Sequence, residues 1–202
     1  MRAVLRFVAS VMIVSGALLI TDAVVTLLWQ EPVSAVVAQR EQGQLKRALI
    51  DPPARVIRRQ PLKGDAIGRI EIPAIGVEDY VVEGTDLGNL RKGPGHYPET
   101  PLPGEHGTAA IAGHRTTYGA PFRRIDELHR GQEIAVDMPY GRYVYRVERT
   151  KIVVPTDLSV LDRVGYDRLV LSACHPLYSA AQRVVVFSKL VRRERSRVRR
   201  SS

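Results

Sequence analysis

From Gly64 onward, glycine and proline cut the chain into short runs rich in β-branched residues, and this rhythm limits the fold more than any other feature. The runs are Ile67 to Ile72, Val77 to Val82, Thr108 to Ala112, Gln132 to Asp137, Arg142 to Val154, Arg168 to Ala173 and Arg183 to Val191. Strands of this length at this spacing predict a mainly β domain, a barrel or a sandwich. One helical interruption is expected at Pro121 to Leu128, where proline suits a first-turn position and Phe122, Ile125 and Leu128 recur at helical spacing.

Before this domain the pattern differs. Phe7 to Trp29 is apolar apart from Asp22, two serines and two threonines, and it is long enough to cross a hydrocarbon core of ~30 Å as a helix. Asp22 costs about 2.5 to 3.5 kcal/mol at mid-bilayer but lies off the centre, and each Leu, Ile, Phe or Val returns roughly 0.3 to 0.6 kcal/mol, so insertion prevails. Arg2 and Arg6 precede the span and Glu31 follows it, which places the N-terminus in the cytoplasm and the rest of the chain outside, as a single-pass cell-membrane protein with an extracellular domain. The alternative, a signal peptide cleaved near Val36-Val37-Ala38, is disfavoured by an apolar stretch longer than the usual signal core. Residues 31–63 are charged and broken by Pro32, Pro52, Pro53 and Pro61, and read as a stalk, with a short helix possible over Val33 to Ile50 and Val36, Val37 and Leu45 on one side. The expected organisation is therefore an anchor at 1–30, a stalk at 31–63, a catalytic domain at 64–191 and a basic tail at 192–202 without fixed structure.

The formal net charge of +9 invites thoughts of nucleic acid, but more than half of it comes from the arginines between Arg192 and Arg200. The remaining body is too mildly basic to name a partner, only 6% of the chain is aromatic, and no base-reading motif is present, so no nucleic-acid partner is expected. The tail suits contact with anionic lipid or wall polymer, or simple solvation.

Cys174 is the one cysteine, so no intrachain disulfide exists. Outside a membrane, a lone thiol is either buried and inert or kept because it reacts. In the run Arg168 to Ala173, Leu169, Leu171 and Ala173 share one face, leaving Val170, Ser172 and Cys174 on the other, with Cys174 at the strand end. Arg183 opens the next run, and a hairpin would bring it beside Cys174. A guanidinium there favours a thiolate and offers a fixed N–H fork to an oxyanion. An unperturbed thiol of pKa about 8.5 is only a few percent ionised near neutrality, so a proton partner is also needed. His114, after Gly113 in a polar loop, is the best placed of the five histidines, although spacing alone does not decide between it and His175. Zinc-ligand spacing, a serine nucleophile elbow and phosphate-binding glycine patterns are all missing, so neither metal nor cofactor is expected.

At this point the residues resemble a known family. Gly95-His96-Tyr97-Pro98, the Pro103-Gly104-Glu105 turn and Ala110-Ile111-Ala112-Gly113-His114-Arg115-Thr116-Thr117-Tyr118-Gly119-Ala120-Pro121-Phe122 look like the histidine segment of sortases, especially the class E group of actinobacteria. Leu171-Ser172-Ala173-Cys174-His175-Pro176 resembles the cysteine segment, and Arg183 falls where the sortase arginine is expected. The family's cysteine segment usually reads Thr-Leu-x-Thr-Cys, whereas Val170 and Ala173 occupy those threonine positions in this chain.

The resemblance implies a closed β-barrel of about eight strands and a two-step transpeptidation. Cys174 would attack the Thr–Gly bond of a Leu-Pro-x-Thr-Gly-like or Leu-Ala-x-Thr-Gly-like sorting signal, and an amine of peptidoglycan or its precursor would resolve the thioester. His114 would move the protons and Arg183 hold the oxyanion, while Thr116, Tyr118 and Ser172 are expected to contact substrate. The rival readings are a pilin-polymerising sortase with a lysine acceptor, a cysteine endopeptidase resolved by water, and a membrane-tethered wall-binding β-domain with an inert Cys174.

Overall fold

The computed structural model describes residues 2–28 and 32–194. Four helices come in chain order: α1 (Arg2–Leu28), α2 (Pro32–Ala48), α3 (Ala54–Ile57) and the short α4 (Leu87–Leu90). Eight strands follow or intervene: β1 (Ala66–Ile72), β2 (Val77–Glu83), β3 (Gly95–His96), β4 (Thr108–Ala112), β5 (Glu133–Met138), β6 (Gly141–Val153), β7 (Arg168–His175) and β8 (Gln182–Glu194). They close into a barrel in the order β1-β2-β3-β4-β7-β8-β6-β5. Closure gives every strand a neighbour on both sides, although β3 meets β2 only at Val82 and Glu83.

All seven expected strands are present, with ends shifted by up to three residues. The eighth, β3, is only two residues long and lies between Pro94 and Tyr97, too short to show a period of two. It nevertheless completes the barrel, pairing parallel to β2 and antiparallel to β4. β8 continues to Glu194, so Arg192 and Arg193, expected in the tail, belong to the sheet; the rest of that tail lies outside the described residues.

Alternation along the strands sorts side chains into two layers. Ile111 of β4, Leu169, Leu171 and Ala173 of β7, and Val184 and Val186 of β8 point into the main core with Phe122 and Tyr145. Ala110, Val170, Val185 and Phe187 point the other way and form a second cluster with Val153, covered by Tyr97, Val160 and Leu161. The division of β7 into two faces is therefore the one expected from its sequence.

The expected helix at Pro121 to Leu128 is instead a series of tight turns ending in one 3-10 turn, Ile125–Glu127. Phe122, Ile125 and Leu128 are indeed buried, but they recur every three residues. That spacing fits three residues per turn, and the backbone follows it through Ile125 N to Phe122 O and Leu128 N to Ile125 O, both 3.3 Å.

α1 is long and apolar enough to cross a membrane, with mean hydropathy 2.3 over its most apolar 18 residues. α2 lies against the barrel rather than extending away from it. Its contact face is Ser34, Ala38, Gln42 and Leu45, continued by Leu49 just past its end, spaced three and four residues apart as one side of a helix requires. Leu45 and Leu49 pack on Ala66 and Val82 with Tyr80 alongside. Val36 and Val37, expected on the helix face with Leu45, are exposed. Gln42 fastens the contact by donating to the carbonyls of Tyr80 (2.9 Å) and Lys92 (2.8 Å) and accepting from Tyr80 N–H (2.6 Å). Gly93 makes room for it, since a Cβ there would sit 2.1 Å from Gln42 Nε2.

Candidate active site

Three strand ends meet at one end of the barrel. β4 and β7 run parallel with Ala112 opposite Ser172, and Gly113 N–H extends the ladder to Ser172 O at 3.0 Å. His114 and Cys174 are each two residues beyond that pair and so reach the same level, His114 just past the end of β4 and Cys174 still within β7. On the far side of β7, the antiparallel pairing with β8 sets Cys174 directly opposite Arg183. All three side chains are partly exposed, and Cys174 is a free thiol.

His114 is held by its surroundings on several sides. Gly113 lies under Phe122, where an added Cβ would come 2.5 Å from the ring. The His114 carbonyl accepts from Phe122 N–H at 3.0 Å. Tyr118, Gly119 and Ala120 then take φ angles of 51°, 75° and 44°, three successive left-handed residues of which two are not glycine. Such a backbone costs on the order of 1 to 3 kcal/mol per non-glycine residue and needs support. Some comes from α2, where Ser34 Oγ accepts from Tyr118 N–H at 3.1 Å, and some from Ala120 N–H bonding Thr117 O at 2.9 Å. The bend brings the Tyr118 ring to 5.3 Å from the imidazole, tilted by 40°, with the Arg91 guanidinium 5.6 Å from the tyrosine ring.

Burial, and secondarily the positive charge of Arg91, push the His114 pKa below its ordinary value. The neutral imidazole is thus favoured at rest, and its Nε2 is a buried atom without a hydrogen-bond partner. Arg183 donates from Nη1 to the carbonyls of Ala180 and Gln182, each at 3.0 Å. To serve an oxyanion at Cys174, the guanidinium has to exchange these exposed carbonyl bonds for the new acceptor.

The other histidines occupy different settings. His96 is buried, with Nδ1 2.9 Å from the Glu83 carboxylate and Nε2 3.0 Å from Pro101 O. His106 is exposed beside Asp167, and His129 is exposed at the end of its turn. His175 Nδ1 faces Arg115 Nη1 at 3.3 Å. Since arginine only donates, Nδ1 accepts in this contact, which places the ring proton on Nε2. An imidazole held that way is a poor proton shuttle, and this geometry favours His114 over it.

Of the expected substrate contacts, Tyr118 lies with its ring tilted against that of His114 and Thr116 is half-buried in the same loop. Ser172 is buried on the outer face of β7 two residues before Cys174. Tyr118 also borders a groove of about 480 Å³ between α2 and β2, lined by Gln39, Lys46, Asp79, Tyr80 and Lys92 among others. Burial, reinforced by Glu78, pushes the Asp79 carboxyl there up to about 6. Sequence reasoning missed the parts played by Ser34, Gln42, Arg91 and Arg115. Only the helical spacing of Ser34, Ala38 and Gln42 carried a signal, and the proline-broken setting masked it.

Comparison with known proteins agrees with this architecture. Residues 70–191 match the sortase domain family. The chain is 37% identical over 136 residues to sortase D of Bacillus subtilis, covering 65% of this chain and 67% of that protein. It is 30% identical over 206 residues to sortase SrtE1 of Streptomyces coelicolor, covering 92% of this chain but only 57% of the longer relative. Among solved structures, a Clostridium perfringens sortase D5 transpeptidase superposes with a TM-score of 0.67 at 27% identity, over 78% of this chain and 99% of that one. Sortase E from Streptomyces avermitilis does so with a TM-score of 0.61 at 32% identity, over 67% and 93%. With the barrel, the strand-end arrangement and the family match over residues 70–191 in agreement, the chain belongs to the sortase family of cysteine transpeptidases.

Proposed function

We propose that this protein is a membrane-anchored sortase, facing outward, that joins sorting-signal-bearing proteins to an amine of peptidoglycan or its precursor. The observation that carries the reading is register: His114, Cys174 and Arg183 lie at the same end of three adjacent strands of the barrel. The Cys174 thiol gives its proton to the neutral His114 imidazole, and the resulting thiolate attacks the threonine carbonyl carbon of a Leu-Pro-x-Thr-Gly-like or Leu-Ala-x-Thr-Gly-like signal. Arg183 stabilises the oxyanion, and the collapse of the tetrahedral adduct breaks the C–N bond as the imidazolium of His114 protonates the departing glycine amine. A second amine then loses its proton to His114 and attacks the thioester, and the thiolate leaves. A resting His114 that is neutral is ready to accept the thiol proton in the first step, and handing that proton to the glycine amine returns it to the neutral base that the second step needs.

The test is incubation of the protein with sorting-signal peptides that differ only at the second position, Pro against Ala, followed by mass spectrometry of the thioester. Trapping on Cys174 with one of the two peptides, and diversion of the product by added glycine- or diaminopimelate-type amines, is the expected result. Arg183→Lys keeps the charge but loses the fork, and should slow acylation by about 10²- to 10³-fold. Turnover by Cys174→Ala would remove the cysteine from the mechanism, and a product that no amine diverts from hydrolysis would leave an endopeptidase instead.

A further inference from the structure

Arg115 directly follows His114, yet it does not point into solvent; it is only 3% exposed. Its guanidinium touches two separate pieces of chain. Nη1 donates to the Cys174 carbonyl at 3.3 Å and to His175 Nδ1 at 3.3 Å. Nε and Nη2 donate to the Arg123 carbonyl at 3.2 and 3.0 Å, and Nη2 pairs with the Asp126 carboxylate at 2.7 Å. One side chain thereby binds the end of β7, which carries the cysteine, to the turn 121–128, which packs over Gly113 through Phe122.

Burying a guanidinium is costly, and an ion pair in such a place is a weak source of stability by comparison with apolar packing. Its geometry has a more specific use. Beyond Gly113 the ladder between β4 and β7 ends, so the sheet no longer fixes the separation of His114 from Cys174. The Arg115 fork bridges the gap, its planar N–H array bonding both sides at once in a way that a single ammonium cannot. We propose that Arg115 is a positioning residue, setting the spacing between the His114 imidazole and the Cys174 sulfur and holding His175 in its Nε2–H tautomer, out of the proton transfer. The proposal rests on the transpeptidase reading above.

The test compares wild type, Arg115→Lys and Asp126→Asn in thioester formation with a sorting-signal peptide, with thermal melting of each and 15N spectra of the histidine rings. Arg115→Lys should lower the saturating acylation rate about 10- to 100-fold, the scale expected of an ångström-sized misplacement, with KM changed less than about twofold. The ring spectrum of His175 should shift from a single Nε2–H tautomer to a mixture. Asp126→Asn leaves the contacts to Cys174 in place and guards against a lysine variant that folds poorly; it should produce a smaller loss, with the same direction in the His175 spectrum. Wild-type acylation by Arg115→Lys, or a rate loss in both variants that merely follows their melting temperatures with His175 unchanged, overturns the proposal alone. A wild-type protein that acylates no sorting peptide overturns the transpeptidase reading along with it.

Discussion

Replacing Gly113 by alanine tests how tightly the core fixes the candidate proton partner. The added Cβ would lie 2.5, 2.8 and 2.9 Å from Phe122 Cδ2, Cγ and Cε2. Carbon atoms settle at about 3.5 to 4.0 Å, so the ring and the strand end must separate by about 1 Å. The ring cannot easily yield, because Phe122 is fully buried among Ile125, Leu171 and the other residues of the main core. Overpacking of this kind costs roughly 1 to 3 kcal/mol, which at about 4 °C per kcal/mol lowers the melting temperature by about 4 to 12 °C. The rate should suffer as well, since His114 is the next residue and its carbonyl is bonded to Phe122 N–H. A displacement near 1 Å corresponds to a loss of up to about 10²-fold in acylation. The assay pairs a circular-dichroism melt with thioester formation in single turnover. Phe122→Leu in the same molecule removes the crowding ring atoms, so the double variant should regain activity relative to Gly113→Ala, with a coupling of about 1 kcal/mol or more. A Gly113→Ala protein that melts within a degree of wild type and acylates normally would refute the claim that Phe122 packing sets the position of His114.

Two further outcomes follow from the same surroundings. Because the folded-state pKa of His114 is lowered, the unfolded chain binds more protons just below pH 6.5, so this histidine's contribution to stability is fully present above that pH and is lost as pH falls through the folded value. Urea midpoints between about pH 4.5 and 8 should decline less on acidification in His114→Asn than in wild type, and parallel curves would contradict this. Gln42→Ala removes three hydrogen bonds to Tyr80 and Lys92. Leaving such partners unmet costs about 1 to 3 kcal/mol, so residues 32–48 should become open to protease and Tyr80 N–H should exchange faster; an α2 as protected as before would show that Leu45 and Leu49 alone hold it.

How far the sequence revealed this molecule depended on the range of the interaction involved. The two faces of β7 follow from its alternation, and the pairing of Cys174 with Arg183 follows from a strand, a turn and a strand, all local information. The helix expected at Pro121 to Leu128 failed because burial of three residues in a row of threes fits a 3-10 turn as readily as an α-helix, and only backbone bonding distinguishes them. α2 was harder still. Its contact face uses a serine, an alanine and a glutamine beside two leucines, so it carries little hydrophobic pattern, and its attachment depends on unpaired groups of Tyr80 and Lys92 far along the chain. Arg115 gave no warning either, since a buried guanidinium is recognised by its distant acceptors.

The convergence at the site depends on strand direction. A parallel pair places both carboxyl ends on the same rim, so β4 delivers His114 and β7 delivers Cys174 to one place although sixty positions separate them. An antiparallel pair does the reverse, setting the carboxyl end of one strand beside the amino end of the next, so β8 must contribute the residue with which it begins, Arg183. Exchange either direction and one of the three moves to the opposite rim. Slip β8 by one residue against β7 and Val184, now in the main core, would stand opposite Cys174 while its whole inner face turned outward. The packing of Val184 and Val186 against Leu171 and Ala173 therefore guards the register of the site, and the chemistry at the rim is bound to the hydrophobic pattern inside the barrel.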